Sequence, residues 1–144
     1  MKPRWNSSWL MLALARNVVH IADVLDAPLP RQFAGTFAWD SGSDIQRLTI
    51  TLEKVEAEGG RVTAQGRGRY VVGDKPTDIT VTWSIDAATL RFEMWERAPQ
   101  ARPGDSFVTD GSHVGTISQD LKLVTATWTT RGSGQRGTLQ LEAR

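Results

Sequence analysis

The chain has 144 residues, of which 40% are hydrophobic and 23% charged, with a formal net charge of +1 and no cysteine. This length and composition are typical of a single globular domain and argue against disorder. The near balance of charge gives no electrostatic reason to expect a nucleic acid or an anionic membrane as partner. The lack of cysteine excludes disulfides, thiolate catalysis and cysteine-ligated metals.

Residues 1–31 differ from the rest of the chain and predict an N-terminal helical extension. The serine pair at 7–8 can cap an α-helix over residues 9–25, and Pro28 and Pro30 then end it. The polar residues of this segment are spaced by three or four and therefore share one face of the helix. We expect this helix to pack on the mouth of the following domain or on a partner subunit.

A secretory signal is the competing interpretation of the same segment. Lys2 and Arg4 precede the apolar run Trp9–Ala15, and Ala13–Ala15 resembles a cleavage site. The apolar run is short for a signal, and no stretch approaches the roughly 18 apolar residues of a transmembrane helix. We therefore expect a cytoplasmic protein, or a secreted or periplasmic one if residues 1–15 act as a signal.

Residues 32–144 form the second unit, in which apolar and polar residues alternate with a period of two. This period predicts half-buried β-strands. Eight such strands can be placed, the least regular one near Ser112–Ser118. Their predicted inward residues are, in chain order, Phe33, Gly35, Phe37, Trp39, Leu48, Ile50, Leu52, Val62, Ala64, Gly66, Gly68, Tyr70, Val72, Ile79, Val81, Trp83, Ile85, Leu90, Phe92, Met94, Val124, Ala126, Trp128, Gly137, Leu139 and Leu141.

Short links between the strands predict an up-and-down order. Most links contain the Gly, Asp or Pro of tight turns, and the stretch 98–105 is the longer exception. An antiparallel sheet with one apolar face removes its exposed edges by closing. Gly66 and Gly68 favour closure, because glycine within a strand marks a bend or a close approach of backbones. We therefore predict an all-β protein, an eight-strand up-and-down antiparallel barrel with an N-terminal α-helix; an open two-sheet sandwich is the alternative.

The strand patterns resemble those of the calycin group, the avidin-like and lipocalin-like barrels. The similar stretches are Phe33–Trp39, Gly115–Ile117, Ala126–Trp128 and Gly137–Leu141. The resemblance is one of architecture, and it implies a fold whose cavity often takes one small, largely apolar molecule. Biotin binding is not carried over, because the polar residues that hold biotin in that group cannot be placed here, where the one tyrosine is Tyr70.

Tryptophans are the first candidates for a binding site. Three of the six fall on the predicted inner face, where an eight-strand barrel has room for packed side chains or for one small ligand. They are therefore either core residues or part of an aromatic pocket. The predicted ligand-binding residues are Trp39, Tyr70, Trp83, Phe92, Met94 and Trp128. Trp95 has the opposite parity, and we expect the N-terminal helix or a subunit interface to cover it.

Glu96 and His113 are the two candidates for catalytic residues. Glu96 has inward parity if its strand stays regular that far, and a carboxyl group in an apolar site can act as an acid or base. The alternative is that the strand has ended and Glu96 pairs with an arginine in water. His113 closes the segment 109–113, which holds the residue types of a nucleophilic relay. Five consecutive residues cannot easily adopt the geometry of a relay, so a plain turn is the favoured interpretation. With His20 in a separate element, no metal site is predicted.

Two functions follow from this description. The first is a barrel that binds a small hydrophobic or aromatic molecule. The alternative is a cofactor-free enzyme, a cyclase, isomerase or hydratase, that uses the same cavity with Glu96 and Tyr70 or His113 assisting. No cofactor is predicted for either function, and the sequence is compatible with a homodimer.

Overall fold

Eight antiparallel strands close into a barrel in the computed structural model, which describes residue 25 and residues 28–42, 45–99, 111–130 and 134–144. The strands are β1 (Gln32–Trp39), β2 (Gln46–Glu58), β3 (Arg61–Val72), β4 (Lys75–Asp86), β5 (Arg91–Arg97), β6 (Gly111–Ile117), β7 (Leu123–Thr130) and β8 (Arg136–Ala143). Each strand pairs with its neighbours in the chain, and β8 closes the sheet against β1. The predicted eight-strand up-and-down barrel is confirmed, and the open sandwich is excluded. Apart from Leu25, the predicted helix lies outside the described residues.

Alternation along the strands places the apolar side chains inside. In β8, over residues 61–67 of β3 and over residues 79–85 of β4, every second residue is buried, as the period of two requires. The inward prediction for Val72 is wrong, because this residue ends β3 and is exposed. In β2 the register shifts between Leu52 and Lys54, so that the inward positions change from even to odd residue numbers. This β-bulge brings Val55 and Ala57 against the core in place of their neighbours.

Glycines at the inner face allow the strands to coil tightly. A Cβ atom on Gly66 would lie 2.1 Å from the carbonyl oxygen of Thr51, and one on Gly35 would lie 1.8 Å from that of Gln140. Both distances are far below van der Waals contact, so these positions accept no side chain without a movement of the neighbouring strand. The prediction that Gly66 marks a close approach of backbones is confirmed.

The segment before β1 packs at one end of the barrel. We call the upper end the one at which β1, β3, β5 and β7 finish, and the lower end the one at which β1 begins. Leu25 and Leu29, which precede β1, are buried in the core cluster. The backbone of Leu52 donates a hydrogen bond to the carbonyl of Arg31 at 2.7 Å, which holds this entering segment against β2. The segment before β1 therefore contributes to the lower part of the core.

Paired charges cover part of the outer surface. Arg67 lies 3.0 Å from Glu53, and Arg69 lies 2.6 Å from Asp78, in each case across two neighbouring strands. Trp95 points outward as its parity predicts and is 43% exposed. The helix predicted to cover it lies outside the described residues. Within the part of the chain that the structure describes, no helix is long and apolar enough to span a membrane.

Candidate functional site

Aromatic packing fills the lower half of the barrel interior. Phe33 and Trp83 have ring centroids 4.9 Å apart, and those of Trp83 and Phe92 are 4.8 Å apart in an edge-to-face arrangement. Trp83, Phe92 and the adjacent Met94 are completely buried. These side chains therefore contact one another in the way that core residues do.

A second aromatic cluster lies toward the upper end. Trp39 and Trp128 have ring centroids 5.1 Å apart, and Phe37 lies 5.1 Å from Trp39 and 6.3 Å from Trp128. The imidazole of His113 meets this cluster, at 5.5 Å from Phe37 and 6.2 Å from Trp128. Phe37, Trp128 and His113 are buried, whereas Trp39 is only partly buried.

Beside this cluster, a carboxyl group joins two other polar side chains within the barrel. The hydroxyl of Tyr70 donates a hydrogen bond to Oε1 of Glu96 at 3.1 Å. Nε2 of His113 lies 2.7 Å from the same oxygen. All three residues are at least nine-tenths buried, Glu96 at 6% exposure and the other two at 2% or less. We call Tyr70, Glu96 and His113 the polar triad.

Strand geometry brings the polar triad together. β5 stays regular to Arg97, and Glu96 pairs with Val81 in the ladder between β4 and β5, so its side chain points inward. The alternative in which Glu96 pairs with an arginine in water is therefore wrong. His113 lies within β6 and pairs with Met94 on one side and Trp128 on the other. The plain-turn interpretation of this segment is therefore wrong for Gly111–His113, because the ladder already begins at Gly111.

Four buried side-chain polar atoms have no hydrogen-bond partner among the described residues. Three belong to the upper half, namely Oε2 of Glu96, Nδ1 of His113 and Nε1 of Trp128. The fourth is Nε1 of Trp83 in the lower half. Buried polar atoms are nearly always hydrogen-bonded in folded proteins. The three in the upper half belong to neighbouring side chains, since Glu96 contacts His113 and the ring of His113 lies 6.2 Å from that of Trp128. They therefore indicate a place where a further polar group can bind.

Burial and charge also affect the phenol of Tyr70. Its pKa is raised well above the ordinary 10.0, first because burial disfavours the phenolate and then because of the negative charge of Glu96 and the hydrogen bond to it. The hydroxyl of Tyr70 therefore stays protonated and donates to Glu96 at neutral pH.

The structure thus unites some of the predicted site residues and separates others. Tyr70, Glu96 and His113 form one network, with Trp39 and Trp128 beside them, whereas Trp83, Phe92 and Met94 lie lower in the barrel. Phe37 points inward as its position in β1 predicts, but it was not among the predicted site residues. Within the described residues, no group of three or more His, Cys, Asp or Glu side chains could hold a metal ion.

No protein-family model matches this chain, and no curated protein matches it significantly.

Proposed function

We propose that the barrel binds a small molecule in its upper half, against the polar triad and the aromatic rings of Trp39 and Trp128. The observation that carries this proposal is the group of three buried polar atoms without a partner among the described residues. The ligand has an apolar or aromatic body, because the rings of Phe37 and Trp128 lie beside His113. It also carries hydrogen-bonding groups, because Trp128 offers a donor and Glu96 an acceptor.

The free-energy cost of the unpaired polar atoms favours a ligand-binding role for them over a purely structural one. A buried polar atom left without a hydrogen bond costs about 1–3 kcal/mol, and a charged one costs more. Three of them together are comparable with a large part of the total stability of a small domain, which is about 5–15 kcal/mol. A bound molecule that satisfies these atoms recovers much of this free energy.

The lower half contributes differently to the proposed site. Nε1 of Trp83 also lacks a partner among the described residues, but it is a single donor with Phe33 and Phe92 packed against its ring. We therefore place the ligand above these side chains and assign them, with Met94, to the floor of the site. Of the predicted ligand-binding residues, Trp83, Phe92 and Met94 would therefore contact the ligand only at its lower side.

A ligand panel with two matched tryptophan variants tests this proposal. The panel contains small neutral, cationic and anionic compounds with aromatic or aliphatic bodies, and binding is followed by intrinsic fluorescence and calorimetry. For the compounds that bind, we expect Trp128→Phe to weaken binding about tenfold, because it removes one hydrogen bond and keeps most of the ring. We expect Trp83→Phe, the control, to bind as the unmodified chain does. If no compound binds, or if Trp83→Phe alone loses binding, the proposal is wrong.

A second candidate function is acid–base catalysis at the same place, and the contact between Glu96 and His113 is the observation that favours it. A carboxylate 2.7 Å from one imidazole nitrogen orients the ring and leaves the other nitrogen to exchange a proton. Such a pair suits an isomerisation, a cyclisation or a hydration. Exchange of carbonyl-activated C–H protons with deuterated water, followed by NMR for a panel of ketones, tests it. Exchange that is no faster with the protein than with its His113→Asn variant would rule this candidate out.

A further inference from the structure

The hydrogen bonds of the polar triad indicate how its protons are distributed. Oε1 of Glu96 accepts the hydrogen of Tyr70 and faces Nε2 of His113 at 2.7 Å. With Glu96 as the ionised carboxylate, its Oε1 atom accepts both hydrogen bonds, and Nε2 of His113 then carries the proton of this bond. If the imidazole is neutral, Nδ1 then carries no proton and is a hydrogen-bond acceptor. The free atoms of the triad, Nδ1 and Oε2 of Glu96, are therefore both acceptors.

Charge is the second consideration. A carboxylate beside a neutral imidazole leaves one negative charge within the barrel. Among the described residues, the ion pairs of Lys and Arg are all formed with other carboxylates, on the outer surface, and Glu96 is paired with His113 alone. A buried charge without a compensating partner is strongly unfavourable. A cation that reaches Oε2 of Glu96 would compensate it.

The aromatic rings around the triad favour a cation as well. The ring centroids of Phe37 and Trp128 lie 5.5 Å and 6.2 Å from that of His113. Trp39 packs edge-to-face against both Phe37 and Trp128. The faces of such rings attract cations, most strongly where water is excluded. The indole N–H of Trp128 is a donor without a partner among the described residues, and it suits an acceptor elsewhere on the ligand.

From these three observations we infer that the ligand is an organic ammonium ion with an apolar body, whose N–H groups donate to Oε2 of Glu96. This inference rests on the proposed function and names the class of molecule that the site takes. The competing arrangements are a protonated His113, which would turn Nδ1 into a donor, and a protonated Glu96, which would donate to Nε2 of His113; both leave the pair neutral. The ligand would then be neutral or anionic.

Three compounds of matched size separate these arrangements, namely phenethylamine, phenethyl alcohol and phenylacetate. Their affinities are measured by calorimetry in low salt at about pH 8, where the amine and the acid are both charged. We expect phenethylamine to bind about tenfold more tightly than the alcohol, because an ionic hydrogen bond replaces a neutral one. Phenylacetate should bind most weakly. The inference is overturned if the alcohol or the acid binds as tightly as the amine.

Two charge-removing variants on the same strand complete the experiment. In Glu96→Gln we expect the preference for the amine over the alcohol to disappear. Glu93→Gln, which removes a carboxylate from the outward face of β5, should leave the preference intact. A preference that survives in Glu96→Gln contradicts the inference. If Glu96→Gln does not fold, the order of the three affinities in the unmodified chain and in Glu93→Gln decides alone.

The outcomes also distinguish the inference from the proposed function. Binding of the alcohol without a preference for the amine refutes the ammonium ligand and leaves the upper half of the barrel as a binding site. Binding of none of the three compounds counts against both.

Discussion

Glu96 links most of the polar chemistry inside this barrel. Its Oε1 atom accepts a hydrogen bond from Tyr70 and contacts His113, while its Oε2 atom lacks a partner among the described residues. A carboxyl group that served only to stabilise the fold would be expected to use both oxygens, because an unpaired one opposes folding. The unpaired Oε2 atom of Glu96 therefore indicates that this carboxyl group binds a ligand.

Tyr70 allows a direct test of the triad, because it is the single tyrosine of the chain. Its folded pKa is raised above 10.0 by burial and by Glu96, so the folded state disfavours the phenolate more than the unfolded state does. The resulting stability is complete below pH 10.0 and is lost as the pH rises toward the folded pKa. Near-ultraviolet absorbance of the phenolate should therefore change only well above pH 10.0, together with unfolding.

A Tyr70→Phe variant is the control for that titration. It removes the absorbance change, and its free energy of unfolding should fall less steeply with pH in the alkaline range than that of the unmodified chain. A Tyr70 phenol that ionises near pH 10.0 while the protein is still folded would show that the triad does not form in solution.

At the scale of the elements, local sequence predicted most of the barrel. Alternating residues and short turns indicated the strands and their order, since neighbours joined by tight turns must pair. The site was harder to predict, because it depends on where strands end and begin. Glu96 is the penultimate residue of β5, and His113 is the third residue of β6. If β5 ended two residues earlier, or β6 began three residues later, these residues would lie outside the strands. Only the register across strands places them 2.7 Å apart.

Close packing of the strands gives a prediction for β3. Gly66→Ala should lower the free energy of unfolding by about 3 kcal/mol, because the added Cβ atom would collide with the backbone of β2. Thr63→Ala, on the exposed face of the same strand, should change it by less than about 0.5 kcal/mol. Both values come from urea unfolding followed by circular dichroism. A Gly66→Ala variant as stable as Thr63→Ala would contradict the tight coiling of the barrel at this point.

Considered as a whole, the molecule divides its interior between two tasks. The lower half is closed by Leu25 and Leu29 and filled by rings that contact each other. The upper half contains the polar triad and the partly buried Trp39. Dense packing in one half fixes the strands that carry the triad, and rigid strands hold binding groups more accurately than loops do. The packed half therefore supports the binding half.

The indole N–H signals of the six tryptophans provide the most direct test of this division. Two-dimensional NMR resolves these signals, and the variants Trp128→Phe and Trp83→Phe assign the ones that matter. When phenethyl alcohol or phenethylamine is added to saturation, we predict that the Trp128 signal shifts strongly and that the Trp83 signal stays nearly in place. A titration in which Trp83 shifts and Trp128 does not, or in which neither signal responds, would contradict a ligand site in the upper half of the barrel.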